Sequence, residues 1–134
     1  MAIRRNLPRT YPILQQGYNA YVSLANLQWC GVAAQHVANS EKNVTTPGGQ
    51  GVLCEGILQN YPAANAQAEV MHIGISRGKA ASTFNGGAEL TVSGAAGTLE
   101  TAASGDYVIA ISEEPATCAG AIVTVRVIPA YQKN

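Results

Sequence analysis

Residues 51–80 read GVLCEGILQNYPAANAQAEVMHIGISRGKA, and the fold class turns on this stretch. Two apolar runs, Gly51–Leu58 and Ala66–Ser76, flank the polar break Gln59–Asn65. Val52, Leu53, Ile57 and Leu58 furnish the first run, and Val70, Ile73 and Ile75 the second. Between them Asn60, Pro62 and Asn65 are turn formers, because proline fixes φ and asparagine tolerates left-handed backbone. Pro62 also lacks a ladder donor, so the first strand must end before it. The stretch reads as strand, tight connection, strand.

Downstream the same grammar repeats. Residues 88–93 (AELTVS) alternate, with Ala88, Leu90 and Val92 on one face and Glu89, Thr91 and Ser93 on the other. That period of two marks a half-buried strand. Gly94–Gly97 turns the chain into Thr98–Thr101, Ser104–Asp106 turns it again, and Tyr107–Ile111 (YVIAI) is apolar enough for a core strand. Ala121–Ile128 (AIVTVRVI) alternates once more, and the tail 130–134 reads as flexible. Upstream, Leu27–Val37 reads as the first strand of the body and Val44–Thr46 as a short one, before Pro47–Gly51 breaks the chain. About eight short strands between Gly, Pro and Asn turns indicate an all-β fold, a small barrel or sandwich of the tulip or jelly-roll kind.

Residues 1–27 differ from the body, 28–129. Arg4, Arg5 and Arg9 are three of the eight basic residues, and no acidic residue precedes Glu41. Tyr11, Tyr18, Tyr21 and, just beyond, Trp29 are four of the eight aromatics. Pro8 and Pro12 forbid a helix in the first dozen residues. Tyr18, Tyr21, Val22 and Ala25 fall at helical spacing within 18–27, a pattern that Asn19 and Asn26 weaken. Disordered tails are poor in aromatics, so this reads as an extended basic arm that orders on a partner.

The stretch 51–80, together with GGAELTVSGAAGTLETAASGDYVIAISEEPA (86–116) and the strand 121–127, resembles bacteriophage capsid decoration (cement) proteins of the DUF2190-like family. That resemblance implies an all-β structural protein of the virion, often a homotrimer, made in the host cytoplasm and bound to the outer surface of the head. There it would stabilise the expanded shell by bridging major capsid subunits. An arm suits such a role, since an extended segment can add a strand to a partner's sheet edge. Tyr11, Tyr18, Tyr21 and Trp29 would be its anchors, and Arg4, Arg5 and Arg9 would pair with capsid carboxylates. The alternative from a different class is a glycan-binding β module, or a head fibre base involved in host attachment, with Tyr107 or Tyr131 stacking on sugars.

The composition narrows the other classes. Charged residues make up 12% of the 134, with eight basic against eight acidic, where about 25% charged is usual. A pI near 6.7 argues against a dedicated nucleic-acid domain. No apolar run approaches the ~20 residues of a membrane span. Cys30, Cys54 and Cys118 are an odd set without a CxxC pair, which speaks for free thiols, and metal-ligand spacing is absent. His36 and His72 are the only histidines. Alternation through EVMHIGI sets His72 opposite Met71 and Ile73 and alongside Val70, a structural position. Glu113 and Glu114 are adjacent, so on a strand they would point apart. Gly48–Gly51 has no Lys-Ser/Thr after it and is not a phosphate loop. Asn43-Val44-Thr45 matches a glycosylation sequon. No catalytic set emerges, so the chain reads as neither an enzyme nor a cofactor binder.

Overall fold

The computed structural model describes residues 10–37 and 42–134. Among them there is no helix, and nine strands form one mixed sheet. They are β1 (Tyr11–Ala20), β2 (Gly31–Gln35), β3 (Asn43–Thr45), β4 (Gly56–Leu58), β5 (Gln67–Lys79), β6 (Glu89–Val92), β7 (Leu99–Thr101), β8 (Tyr107–Ser112) and β9 (Ile122–Gln132). The sheet order is β1-β3-β2-β4-β5-β9-β8-β6-β7, and β1 also pairs with β5.

That extra pairing closes a five-stranded barrel. β1 runs parallel to β3 on one side and antiparallel to β5 on the other, so the circuit β1-β3-β2-β4-β5 has no free edge. Each stave sends apolar side chains inward: Tyr18 and Ala20 from β1, Val32 from β2, Val44 from β3, Leu58 from β4, and Ala68 and Val70 from β5. Leu24, from the turn after β1, fills the same core. The remaining strands make a second circuit. β5 pairs with β9, β9 with β8, β8 with β6 and β6 with β7. Leu99 of β7 then bridges back to Ala80, next to the end of β5. Its core holds Leu90, Val92, Leu99, Ile109, Val123, Val125 and Val127, capped by Phe84.

β4 and β5 are the wall between the two cores. Leu58 pairs with Val70 and both face the barrel, while Ile57 pairs with Met71 and both face the second core. This explains why the decisive stretch is apolar on both faces, as strands buried on both sides are. Each Leu, Ile or Val so buried contributes about 1.5–3 kcal/mol.

Several expectations change. The first run, 51–58, becomes strand only from Gly56, because Gly51 adopts φ +73° and residues 52–55 form a loop. The strand expected over Leu27–Val37 is confined to Gly31–Gln35, since Trp29 sits at φ +69° and the preceding residues form turns. The helical spacing at 18–27 is not realised; Tyr18–Ala20 complete β1, whose backbone groups are satisfied by β3 and β5. The stretch expected as an arm to residue 27 therefore joins the body at Tyr11. The end of the chain also differs from a flexible tail. β9 continues to Gln132, and Tyr131 pairs with Val108 and Gln132 with Tyr107. Pro129, which cannot donate to a ladder, sits in the irregularity between the Ala110–Val127 and Val108–Tyr131 pairs. Lys133 N–H then donates to Asp106 O at 2.8 Å.

Candidate functional site

The first half of β1 carries an exposed apolar strip. Tyr11 is 57% exposed, Ile13 79% and Leu14 42%. The pairing with β5 explains how residues of both parities reach solvent. Its register shifts on either side of Leu14, so that Ile13 is an extra residue on β1 and His72 an extra residue on β5. Paired bulges of this kind re-aim side chains. Leu53, 54% exposed on the loop before β4, lies across a cavity of about 320 Å³ that Leu14, Ile73, Ile128 and Pro129 also line.

Glu55 and His72 are polar residues in that apolar cavity, and they meet Tyr18 behind it. The Tyr18 hydroxyl lies 2.9 Å from His72 Nε2 and donates to Glu55 Oε2 at 3.3 Å. The His72 ring also hydrogen-bonds the Glu55 backbone, and the Tyr18 hydroxyl, which can both donate and accept, is shared between Nε2 and Glu55, with the direction at Nε2 set by the imidazole tautomer. On the far side Lys42 Nζ stands 5.0 Å from the Tyr18 ring centroid and donates to Gln16 Oε1 at 2.7 Å. Burial, then the Glu55 charge and hydrogen bond, push the Tyr18 phenol up to about 12. Burial holds His72 below the usual imidazole range, against the opposing pull of the Glu55 charge. The trio thus keeps a neutral tyrosine at neutral pH. It fastens β1, β5 and the β4 loop together.

Other candidates fall into place around it. Arg4, Arg5 and Arg9 lie outside the described residues. Tyr11 and Tyr21 (47% exposed) are on the surface, Trp29 is half-buried, and Tyr18 is 9% exposed. Tyr18 is therefore a core residue of the barrel rather than a surface anchor. Tyr131 is 41% exposed, but its hydroxyl donates to Glu89, as does Lys133 Nζ at 3.2 Å. His36 is exposed, whereas Cys30 and Cys54 are buried and burial pushes their thiols up to about 11 and about 12. Such thiols are too weakly acidic to supply a thiolate at neutral pH. Cys118 is free and exposed. Asn43 of the sequon is 4% exposed and accepts from Asn19 Nδ2 at 2.7 Å, so its amide faces the protein interior. Glu114 caps the Thr124 N–H at 2.7 Å while Glu113 reaches Arg126 at 4.0 Å, two separate roles. Among the described residues no group of three His, Cys, Asp or Glu could hold a metal, and no helix is long and apolar enough to cross a membrane.

Sequence reasoning missed Glu55, Ile13, Leu14 and Leu53. Alternation in EVMHIGI placed His72 on the Val70 side, which was a partial signal for the trio. The partners come from residues 18 and 55, and only the barrel brings them together.

No family model matches the chain, and no curated protein matches it. A solved structure does. The N base of the head fibre gp8.5 in bacteriophage phi29 superposes with a TM-score of 0.66 at 14% identity. The match covers 85% of this chain and 92% of that one. At that identity the likeness is one of fold.

Proposed function

We propose that the chain is a structural protein of a bacteriophage virion, seated on the outer surface of the head and contacting major capsid subunits there. The observation that carries this reading is the fold shared with a phage head fibre base across nearly all of both chains. The resemblance to decoration proteins in 51–80 and 86–127 points the same way. In this reading the exposed strip Tyr11, Ile13 and Leu14, continued by Leu53, meets the capsid. The basic segment with Arg4, Arg5 and Arg9 precedes it directly in sequence. A strip of this kind is apolar at its centre and can be rimmed by charge, as protein interfaces are. Many copies on one lattice let each contact be modest. Bridging of capsid subunits and a homotrimeric state belong to the same proposal. So does the absence of nucleic-acid, membrane, cofactor or catalytic roles.

A second reading has an observation in its favour: the chain is the base of a head fibre. The match covers 92% of the phi29 head fibre N base.

Co-sedimentation with expanded heads that lack the protein tests both. Saturable pelleting at a stoichiometry commensurate with the lattice is expected, and Ile13→Asp should weaken it at unchanged melting temperature. Absence of pelleting by folded protein on intact heads would overturn the proposal. Heads that bind the protein only at a few unique positions would favour the fibre reading over a cement.

A further inference from the structure

Trp29 is the chain's one tryptophan, and its backbone is held at φ +69°. That region is uncommon for a bulky residue and persists only where the surroundings enforce it. Here they do: Trp29 N–H donates to Leu58 O at 2.8 Å, and Lys79 N–H donates to Trp29 O at 2.9 Å. The two central strands of the fold thus clamp this residue, and its indole remains half-exposed. The Arg77 guanidinium lies 5.5 Å from the ring centroid. Arg77 and Lys79 are two apart on β5, hence on one face.

Beside the indole is an open groove of about 540 Å³, bounded by Ala25, Asn26, Gln28, Trp29, Lys79 and Ile122. This falls within the ~300–1,000 Å³ usual for ligand sites. No carboxylate lines it. The two ion pairs found among the described residues use Arg126 and Lys133, so Lys79 Nζ has no acidic partner there. Gln28 Nε2 donates to Gln59 O at 3.0 Å, which fixes the amide and leaves its Oε1 to accept. Asn26 is exposed with both a donor and an acceptor.

We propose that this groove is a binding site for an acidic saccharide of the uronic acid class. Lys79 takes the ring carboxylate, Trp29 and Ile122 give the apolar wall, and Asn26 and Gln28 meet hydroxyls. An acidic peptide side chain presents a carboxylate but no hydroxyl donors for the Gln28 oxygen, so the saccharide fits the donor set better. This site is on a different surface from the strip assigned to the capsid, and it stands independently of that reading.

Because Trp29 is the sole tryptophan, its fluorescence reports the groove directly. Titration with trigalacturonate at low salt should give a saturable change that salt weakens. Lys79→Gln retains the backbone N–H that holds Trp29, and it should weaken binding by about tenfold or more, the usual worth of a charge-assisted hydrogen bond. Maltotriose, neutral and of equal length, should bind far more weakly. Absence of a saturable change would overturn the proposal. So would equal affinity for pentaglutamate or maltotriose, or unchanged affinity in Lys79→Gln with the fold intact by circular dichroism.

Discussion

The two cores differ in how they are closed, although β4 and β5 serve both. The barrel core is ringed by continuous strand pairing, with β1 hydrogen-bonded to β3 and to β5. The second core is ringed by β5, β9, β8, β6 and β7, and the final closure is one bridge, Ala80 to Leu99. The barrel closes with β1, far from β5 in sequence, and carries the exposed strip on that same strand. The second core closes between Ala80 and Leu99, which lie nearer to each other in sequence. A strand built into a closed barrel is held rigid, so in the proposed reading less ordering entropy would be lost when β1 meets a partner.

The sharpest way to break this arrangement is at the shared wall. A Cβ on Gly56 would stand 2.1 Å from Met71 O, a backbone atom that cannot move without parting β4 from β5. Gly56→Ala should therefore cost about 4 kcal/mol or more, at the exceptional end for single substitutions, and lower protection in both cores at once. Urea denaturation with hydrogen exchange would measure it. Loss confined to one core would mean that the wall is not shared.

Leu58→Ala and Leu90→Ala compare the cores directly, since each residue is fully buried in one of them. Each should cost about 2–5 kcal/mol. Hydrogen exchange should show the Leu58 variant loosening β1, β2 and β3 first, and the Leu90 variant loosening β6, β7 and β8. Uniform loss in both variants would make the two cores a single cooperative unit.

A smaller effect follows from pH. His72 is held below its ordinary value, so the unfolded chain binds a proton that the folded chain does not. Stability is full above the unfolded value of about 6.5 and falls as pH drops below it. The melting temperature should decline from pH 6.5 to 5, and His72→Gln should flatten that slope while still reaching the Tyr18 hydroxyl. An unchanged slope would assign the decline to other groups. The smallest effect belongs to the second core's surface: Arg126→Gln breaks a 4.0 Å pair whose side chains are 55% and 40% exposed, worth about 0–1 kcal/mol. A larger loss in thermal melts would show that pair to be part of a wider network.

Alternation and turn chemistry made most of β3 and β5–β9 legible within a few residues, because half-buried strands must alternate and Gly or Pro must interrupt them. Positions governed by backbone conformation escaped this. Nothing in LANLQWCG announces that Trp29 takes a positive φ, and nothing in TYPILQQGYNA separates an arm from a barrel stave. Both depend on a partner strand more than twenty residues away. The candidate site was legible only in pieces. Sequence alone reads His72 as a structural residue alongside Val70 and Tyr11 as an aromatic anchor of the arm; the structure sets His72 against Tyr18 and Tyr11 on the surface. The extra residues at Ile13 and His72 arise from a register that only pairing defines.

Local periodicity and turn residues suffice for the all-β class and the central two-strand unit, because that information is carried by near neighbours in the chain. Tertiary structure decided that β1 closes a barrel, that Tyr18 meets His72 and Glu55, and that Trp29 stands over Arg77 beside Lys79. Those contacts join residues distant in the chain, and strand register, rather than side-chain preference, brings them within reach.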